Sequence, residues 1–224
     1  MRRFVRENGM VLFFALIFVL ALAGQAVAGF FDTNDQQVAD GAAPLSFAAY
    51  VTSSDFGADV AENWQSEYLQ FALYIVATVY LVQRGSPESK VPGKAGTESD
   101  EDQRVGSHAR PDSPAPARAS GPRLWWYGNS LGLTMGLIFL GSWTAQAVAG
   151  RAAYNAQQLR SFEDPLGFWA YLGAPDFWSR TLQNWQSEFL AILSMAVLSI
   201  YLRQRGSPES KPVGAAHSAT GVEG

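Results

Sequence analysis

The sequence predicts an all-α membrane protein: four transmembrane helices arranged as two parallel two-helix repeats, with short helices on the extracytoplasmic side. The first ground is distribution. The 48% hydrophobic content of the 224 residues is gathered into four blocks, separated by charged and Pro-, Gly- and Ser-rich segments, a pattern of membrane spans and not of one water-soluble core. The second is a duplication: residues 8–90 and 129–211 align without a gap, with about 37 identities in 83 pairs, far above chance for a biased composition. The third is charge placement. The N-terminus, the central linker and the C-terminal exit hold 13 of the 16 Lys and Arg, leaving Arg151, Arg160 and Arg180 elsewhere, which puts both termini on the cytoplasmic side. Because each copy crosses twice, the two share one orientation and are related by an axis along the membrane normal.

The first repeat covers residues 1–90. Arg2, Arg3 and Arg6 precede an apolar run over 9–31 whose one strongly polar side chain is Gln25; at about 1.5 Å per residue this crosses a hydrocarbon core of about 30 Å. Basic residues, an apolar run and Ala26-Val27-Ala28 also fit a cleavable signal peptide. The mid-chain copy Gln146-Ala147-Val148-Ala149-Gly150 argues against cleavage and for helix packing by small residues. Residues 32–62 are acidic: Asn34, Gln36 and Gln37 continue the first helix, Pro44 opens a short apolar turn, and Ser54 or Asp55 caps the next helix. Phe56, Val60 and Trp64 then fall on one helix face, suited to an interface. The second apolar block, 68–82, is only about 15 residues, so it spans if the polar mouth Asn63-Trp64-Gln65-Ser66-Glu67 belongs to the helix. Gly85 and Pro87 supply the stop.

Residues 91–123 form a linker dense in Pro, Gly, Ala and Ser with an acidic cluster, which predicts disorder. The second repeat, 124–211, opens on the aromatic belt Trp125-Trp126-Tyr127 and repeats the long run, the loop, the mouth and the stop. Residues 212–224 read as a disordered tail. The loop aromatics Tyr50, Phe56, Trp169, Tyr171, Phe177 and Trp178 are expected to pack small extracytoplasmic caps.

Several chemistries are excluded. There is no cysteine, and the two histidines, His108 and His217, lie in the linker and tail; thiol, iron–sulfur, haem and zinc chemistry therefore have no ligands here, and no metal or cofactor is expected. The formal charge of -4 is small and forms no basic stripe, so no nucleic acid is expected as a partner. The partners expected are the lipid bilayer and, through small-residue faces, further copies of the chain.

The Asn-Trp-Gln-Ser-Glu mouth and the Gln-Arg-Gly-Ser-Pro-Glu-Ser-Lys stop, present at 63–67 and 83–90 and again at 184–188 and 204–211, resemble those of an uncharacterised family of bacterial integral membrane proteins, a domain of unknown function. The resemblance covers nearly the whole chain apart from the linker and tail. It implies a bacterial four-helix membrane protein, here expected in the inner membrane, and carries no activity with it.

Counting along each helix from its cytoplasmic end places Gln25 and Glu67 in one layer about 24–26 Å up, and Gln146 and Glu188 repeat it. Asn63 and Asn184 sit just above. This polar layer is the candidate site. Its plain reading is a set of interhelical hydrogen bonds that fasten each hairpin; its sharper one is a path for a cation or polar solute. An acid–base pair of Glu67 and Glu188 has no nucleophile or metal motif beside it, so an enzyme is not expected. Trp64 and Trp185 read as interfacial anchors, and Arg84 and Arg205 as partners of lipid phosphates. The sequence therefore points to a structural or interaction protein of the membrane. The alternative is a small channel or transporter selective at the Gln/Glu layer.

Overall fold

Long runs of Ala, Leu, Phe and Val without internal proline favour continuous helix, and the computed structural model, which describes residues 2–222, is helical wherever those runs occur. The described residues hold eight α-helices and no strand: α1 (Arg2–Glu7), α2 (Gly9–Ala39), α3 (Phe47–Val51), α4 (Ser54–Tyr80), α5 (Gly121–Gly128), α6 (Ser130–Arg160), α7 (Phe168–Leu172) and α8 (Pro175–Tyr201). Elements α1 and α5 are separated from the long helices by Asn8 and Asn129. Each Asn turns its amide back onto the helix before it, Asn8 Nδ2 to the Phe4 carbonyl at 2.9 Å and Asn129 Nδ2 to the Trp125 carbonyl at 2.8 Å.

Helices α2 and α6 are 31 residues each and are long and apolar enough to cross a membrane. Every large apolar side chain from Met10 to Leu20 is exposed, with no face sheltered: Met10 is 73% exposed, Phe13 58% and Leu16 59%. Helices α4 and α8 have 27 residues each, but their first halves carry Asp, Glu, Asn and Gln. By length and composition, the described helices that qualify as spans are α2 and α6.

The helix boundaries show how different residues solve the same problem. Helix α2 ends in a Schellman turn, with Gly41 N–H on the Val38 carbonyl, Ala42 N–H on that of Gln37, and Gly41 at φ +73°. Helix α6 ends in the same two bonds, Phe162 to Leu159 and Glu163 to Gln158, yet the left-handed position is filled by Phe162 at φ +56°. At the start of α4 the capping oxygen is that of Ser53, which accepts from Phe56 N–H at 3.2 Å; it lies one residue ahead of the earliest cap the sequence suggested. Helix α8 begins with Pro175 at its first position, where the fixed φ does the pre-ordering and no side-chain cap is made. The far ends also differ from expectation. Both α4 and α8 stop at Tyr80 and Tyr201, and Gly85 (φ +89°) and Gly206 (φ +79°) belong to a separate turn beyond them. Glu67 is therefore 13 residues from its helix end, about 20 Å along the axis and less than a continuous helix to Arg84 implies.

Two compact units are present, and each draws on both sequence copies. Unit 1 comprises residues 1–60 with 145–171; unit 2 comprises 61–144 with 172–224. In unit 1 the ends of α2 and α6 meet the short helices. Asn34 clamps the loop below it by accepting from Leu45 N–H at 2.7 Å and donating to the Leu45 carbonyl at 3.1 Å; Asn155 does the same with Leu166 at 2.8 and 3.0 Å. Buried Tyr50 and Tyr171 lie so close over Gly29 and Gly150 that an added Cβ would stand 2.0 and 2.6 Å from their hydroxyl oxygens. The aromatic caps form as expected at Tyr50 and Tyr171, and Trp169 departs from them. It is 81% exposed, because two residues of helix separate it from Tyr171 and put it on the opposite face.

Unit 2 contains most of α4, the first half of α6, α5 and α8, together with the linker and tail. The linker is a series of turns and two 3₁₀ segments, Gly106–His108 and Ala115–Arg118, held by local polar bonds such as Ser99 with Asp102 and Arg118 with the Pro111 carbonyl. The tail is organised by one side chain. Lys211 is 1% exposed, and its ammonium donates toward the carbonyls of Gly85 (2.6 Å), His217 (2.9 Å), Ala216 and Ala219 (both 3.3 Å).

Candidate functional site

The residues of the predicted polar layer divide between the units. Gln25, half-buried, and Gln146, 1% exposed, are in unit 1; Asn63, Glu67, Asn184 and Glu188 are in unit 2. Within unit 2 the mouth acts as a fastener between α4 and α8. Glu62 pairs with Arg180 at 2.8 Å, the Trp185 indole donates to Gln65 Oε1 at 2.8 Å, and Gln70 donates to the Glu188 carbonyl at 3.2 Å. Glu62 and Gln65 are three residues apart and share a face of α4, whereas Gln70, five residues further on, lies about 140° round the helix from Gln65. Gln65 is fully buried, and its Nε2 is an orphan donor. Asn63 and Asn184 bond within their own helices: each backbone carbonyl accepts from the serine three residues on, Ser66 or Ser187, at 2.9 Å, and the Asn184 side-chain amide donates to the Arg180 carbonyl at 2.9 Å.

The two copies of the mouth are used unequally. Gln65 and Ser66 are buried, whereas Gln186 and Ser187 are exposed; Glu67 is exposed, whereas Glu188 is half-buried. The tryptophans separate likewise. Trp64 is 41% exposed, but Trp185 is held by its hydrogen bond and by Trp143, whose ring centroid is 6.4 Å away. Trp143 also stacks on Phe139 and meets Phe177 and Trp178 at 5.9 and 6.1 Å. Copy one has Leu22 in place of Trp143, so this aromatic cluster belongs to the second copy. Arg84 and Arg205 are both exposed in their turns.

A second concave feature in unit 2 has a regular construction. A cavity of about 210 Å³ between α4 and α8 is lined by Gln70 and Ala191, Phe71 and Ile192, Tyr74 and Met195, and Glu88 and Glu209. Each pair is one position in the two copies, 121 residues apart, so the cavity lies on the local axis that relates them. The Tyr74 hydroxyl donates to the Glu88 carboxylate.

Comparison with protein families matches residues 1–222 to a domain of unknown function, DUF6766. The chain belongs to the DUF6766 family. Curated proteins and solved structures returned no match.

In this DUF6766 chain the stop motif does more than end a helix, and that part was missed from sequence. The signal was present in the duplication. The walls of the cavity differ between copies at 70/191, 71/192 and 74/195, while Glu88 and Glu209 are the same residue. Lys90 and Lys211 are also identical in type, but Lys90 pairs with Glu98 of the linker and Lys211 is enclosed by carbonyls. A repeated residue therefore need not repeat its role.

Proposed function

We propose that this protein is a multi-pass scaffold of the bacterial inner membrane, non-enzymatic, crossing the bilayer four times with both termini in the cytoplasm and assembling with further copies or partner helices. The observation that carries the reading is the exposure of the first half of α2, where every large apolar side chain from Met10 to Leu20 is exposed: an apolar stretch with no sheltered face is at home in hydrocarbon and not in water. The short apolar parts of α4 and α8 cross if their polar first turns reach the interface, where Trp64 and the exposed loop aromatics Phe162 and Trp169 are favourably placed. Arg84 and Arg205, exposed just past the helix ends, then meet lipid phosphates. The scaffold reading is supported by the mouth and the residue before it: Gln65 and Trp185, with Glu62, are engaged in holding α4 to α8.

The test uses the absence of cysteine. Single cysteines at Ser53 and Ser113 in the full chain are expected to react with an impermeant maleimide from outside and inside respectively, and the reverse labelling refutes the topology. Reconstituted liposomes are expected to show no proton or cation leak above that of empty vesicles. A leak abolished by Glu67→Gln with Glu188→Gln would replace the scaffold by a channel.

A further inference from the structure

The linker before α6 carries more cationic chemistry than a tether requires. From Gln103 to Leu131 the chain has four arginines, at 104, 110, 118 and 123, against one acid, Asp112. They lead into the exposed Trp125 and Trp126 and then into a helix long and apolar enough to cross a membrane. The arginines are not used alike. Arg118 binds the linker to itself: its Nη2 donates to the Pro111 carbonyl at 2.6 Å and toward those of Arg110 and Ser113 at 3.4 Å, while the Arg110 amide is held by Ser113 Oγ at 2.9 Å. Arg104 and Arg110 line one cavity of about 550 Å³ between the linker and the junction of α5 with α6. Among the described residues neither guanidinium has a hydrogen-bond acceptor or an ion-pair partner. Arg104 also holds a left-handed backbone, φ +54°, in a turn closed by Arg104 N–H on the Glu101 carbonyl and Val105 N–H on that of Asp100. Glycine fills such a position without strain, and strain of this kind gathers at ligand sites.

We propose that this cavity binds the headgroup of an anionic phospholipid, phosphatidylglycerol, with its phosphodiester on Arg104 and Arg110 and its glycerol hydroxyls toward Asp112. Guanidinium groups hold phosphate oxygens through paired, charge-assisted N–H donors, and basic pockets beside membrane helices on the cytoplasmic side suit anionic headgroups. The lining charges, two guanidiniums and one carboxylate, leave a single positive charge. One phosphodiester neutralises it, whereas Asp112 repels the second charge of a phosphate monoester. Leu124, Tyr127 and Leu131 give the cavity an apolar side toward α6, along which acyl chains leave the site; a soluble phosphate ester presents the same anion but leaves that side uncovered. The volume lies within the range of about 300–1,000 Å³ usual for small-molecule sites. The proposal rests on the membrane reading in placing α6 beside lipid, while the cavity itself is built within unit 2.

The experiment uses the full chain in uncharged maltoside micelles, with binding of short-chain phosphatidylglycerol, short-chain phosphatidylcholine and glycerol phosphate measured by native mass spectrometry. Saturable binding of phosphatidylglycerol is expected, at least tenfold tighter than that of either other probe. Arg104→Gln with Arg110→Gln is expected to weaken it at least tenfold. Lys94→Gln with Arg123→Gln removes the same charge from exposed positions outside the cavity and is expected to change it by less than about twofold. Gly128 lines the cavity, and an added Cβ there meets nothing within 4 Å. Gly128→Phe therefore fills the cavity with both arginines in place and is expected to abolish binding, which keeps the test informative if the double variant folds poorly. Arg104→Gly is expected to weaken binding while raising the melting temperature, a separation that a merely structural arginine does not give. Equal loss in the two charge-matched double variants, binding indifferent to Gly128→Phe, glycerol phosphate or phosphatidylcholine binding as tightly as phosphatidylglycerol, or no saturable binding overturns the proposal. Micelles require no set number of helices to cross, so failure here counts against the cavity, whereas reversed labelling of the Ser53 and Ser113 cysteines counts against the topology.

Discussion

At the residue scale, the duplicated chain provides its own controls, because the same backbone position is filled twice. The clearest case is the end of the long helix. Gly41 and Phe162 occupy one left-handed position with the same two closing hydrogen bonds, and a side chain there costs about 1–2 kcal/mol that glycine avoids. Phe162 is 99% exposed, so it recovers nothing by packing within the chain. Phe162→Gly is therefore expected to stabilise the protein by about 1 kcal/mol, after allowing for the greater freedom glycine has when unfolded, measured by thermal or denaturant unfolding in detergent. If the aromatic ring anchors the loop in the interface, the same variant will bind membranes less firmly while melting later. Tyr50 gives a second prediction. Burial first, and then the nearby charge of Asp59, holds its phenol above the ordinary value of about 10. The folded protein thus keeps the proton through a range in which the unfolded chain loses it. The stabilisation is whole below pH about 10 and falls as pH rises from there through the raised value. Melting temperatures between pH 8 and 11 should decline more steeply for the wild type than for Tyr50→Phe.

At the scale of elements, what could be read from sequence followed from periodicity and hydropathy, and what could not followed from where side chains find partners. The long helices, their near-identical lengths and the short aromatic helices are legible because apolar runs and Pro44 or Pro165 bound them. The ends of α4 and α8 were placed too far along, at Gly85 and Gly206. Glycine there does mark a left-handed residue, but of a turn that begins after Tyr80 and Tyr201. In that turn the amide of Gln83 or Gln204 is held by the hydroxyl of Ser89 or Ser210, each at 2.9 Å. This closure is local, and the serine spacing carries it. The role of Lys211 was not legible, because its acceptors are backbone carbonyls at Gly85 and in the tail, which no residue type announces. Removing it is expected to release the tail. In Lys211→Met the carbonyls lose their donor, and the Gly85 and Gly221 amides, now bonded to Thr220 Oγ1 and the Ser86 carbonyl, should exchange hydrogen at least about tenfold faster. Lys90→Met, at the equivalent position, should leave those two amides as they are.

At the scale of the molecule, each compact unit is made from both sequence copies, so neither copy holds a complete one. In unit 1 an added Cβ on Gly57 of the first copy would rest 3.8 Å from Ala149 of the second, and in unit 2 the Glu62–Arg180, Gln65–Trp185 and Gln70–Glu188 contacts all run from one copy to the other. The linker between them makes its own turns through local bonds, and its continuity is not what holds the copies together. A chain divided between Gly93 and Lys94, both exposed, is therefore expected to reassemble: fragments 1–93 and 94–224, produced together, should co-purify as a one-to-one complex. The specificity of that association can be assigned to the seam. Arg180→Glu places two carboxylates opposite each other at a half-sheltered position, where like charges repel and neither is fully screened by solvent. It should weaken recovery of the complex several-fold, and Glu62→Arg in the other fragment should restore it. Because Trp185→Phe removes a hydrogen bond from a fully buried Gln65, it should weaken the complex as well, by about 1–3 kcal/mol, and no change of charge should rescue it. If the fragments associate equally well with either substitution, the seam is incidental and apolar contact alone joins the copies; if they fail to associate at all, the connection through the linker matters in a way that its local bonds do not explain.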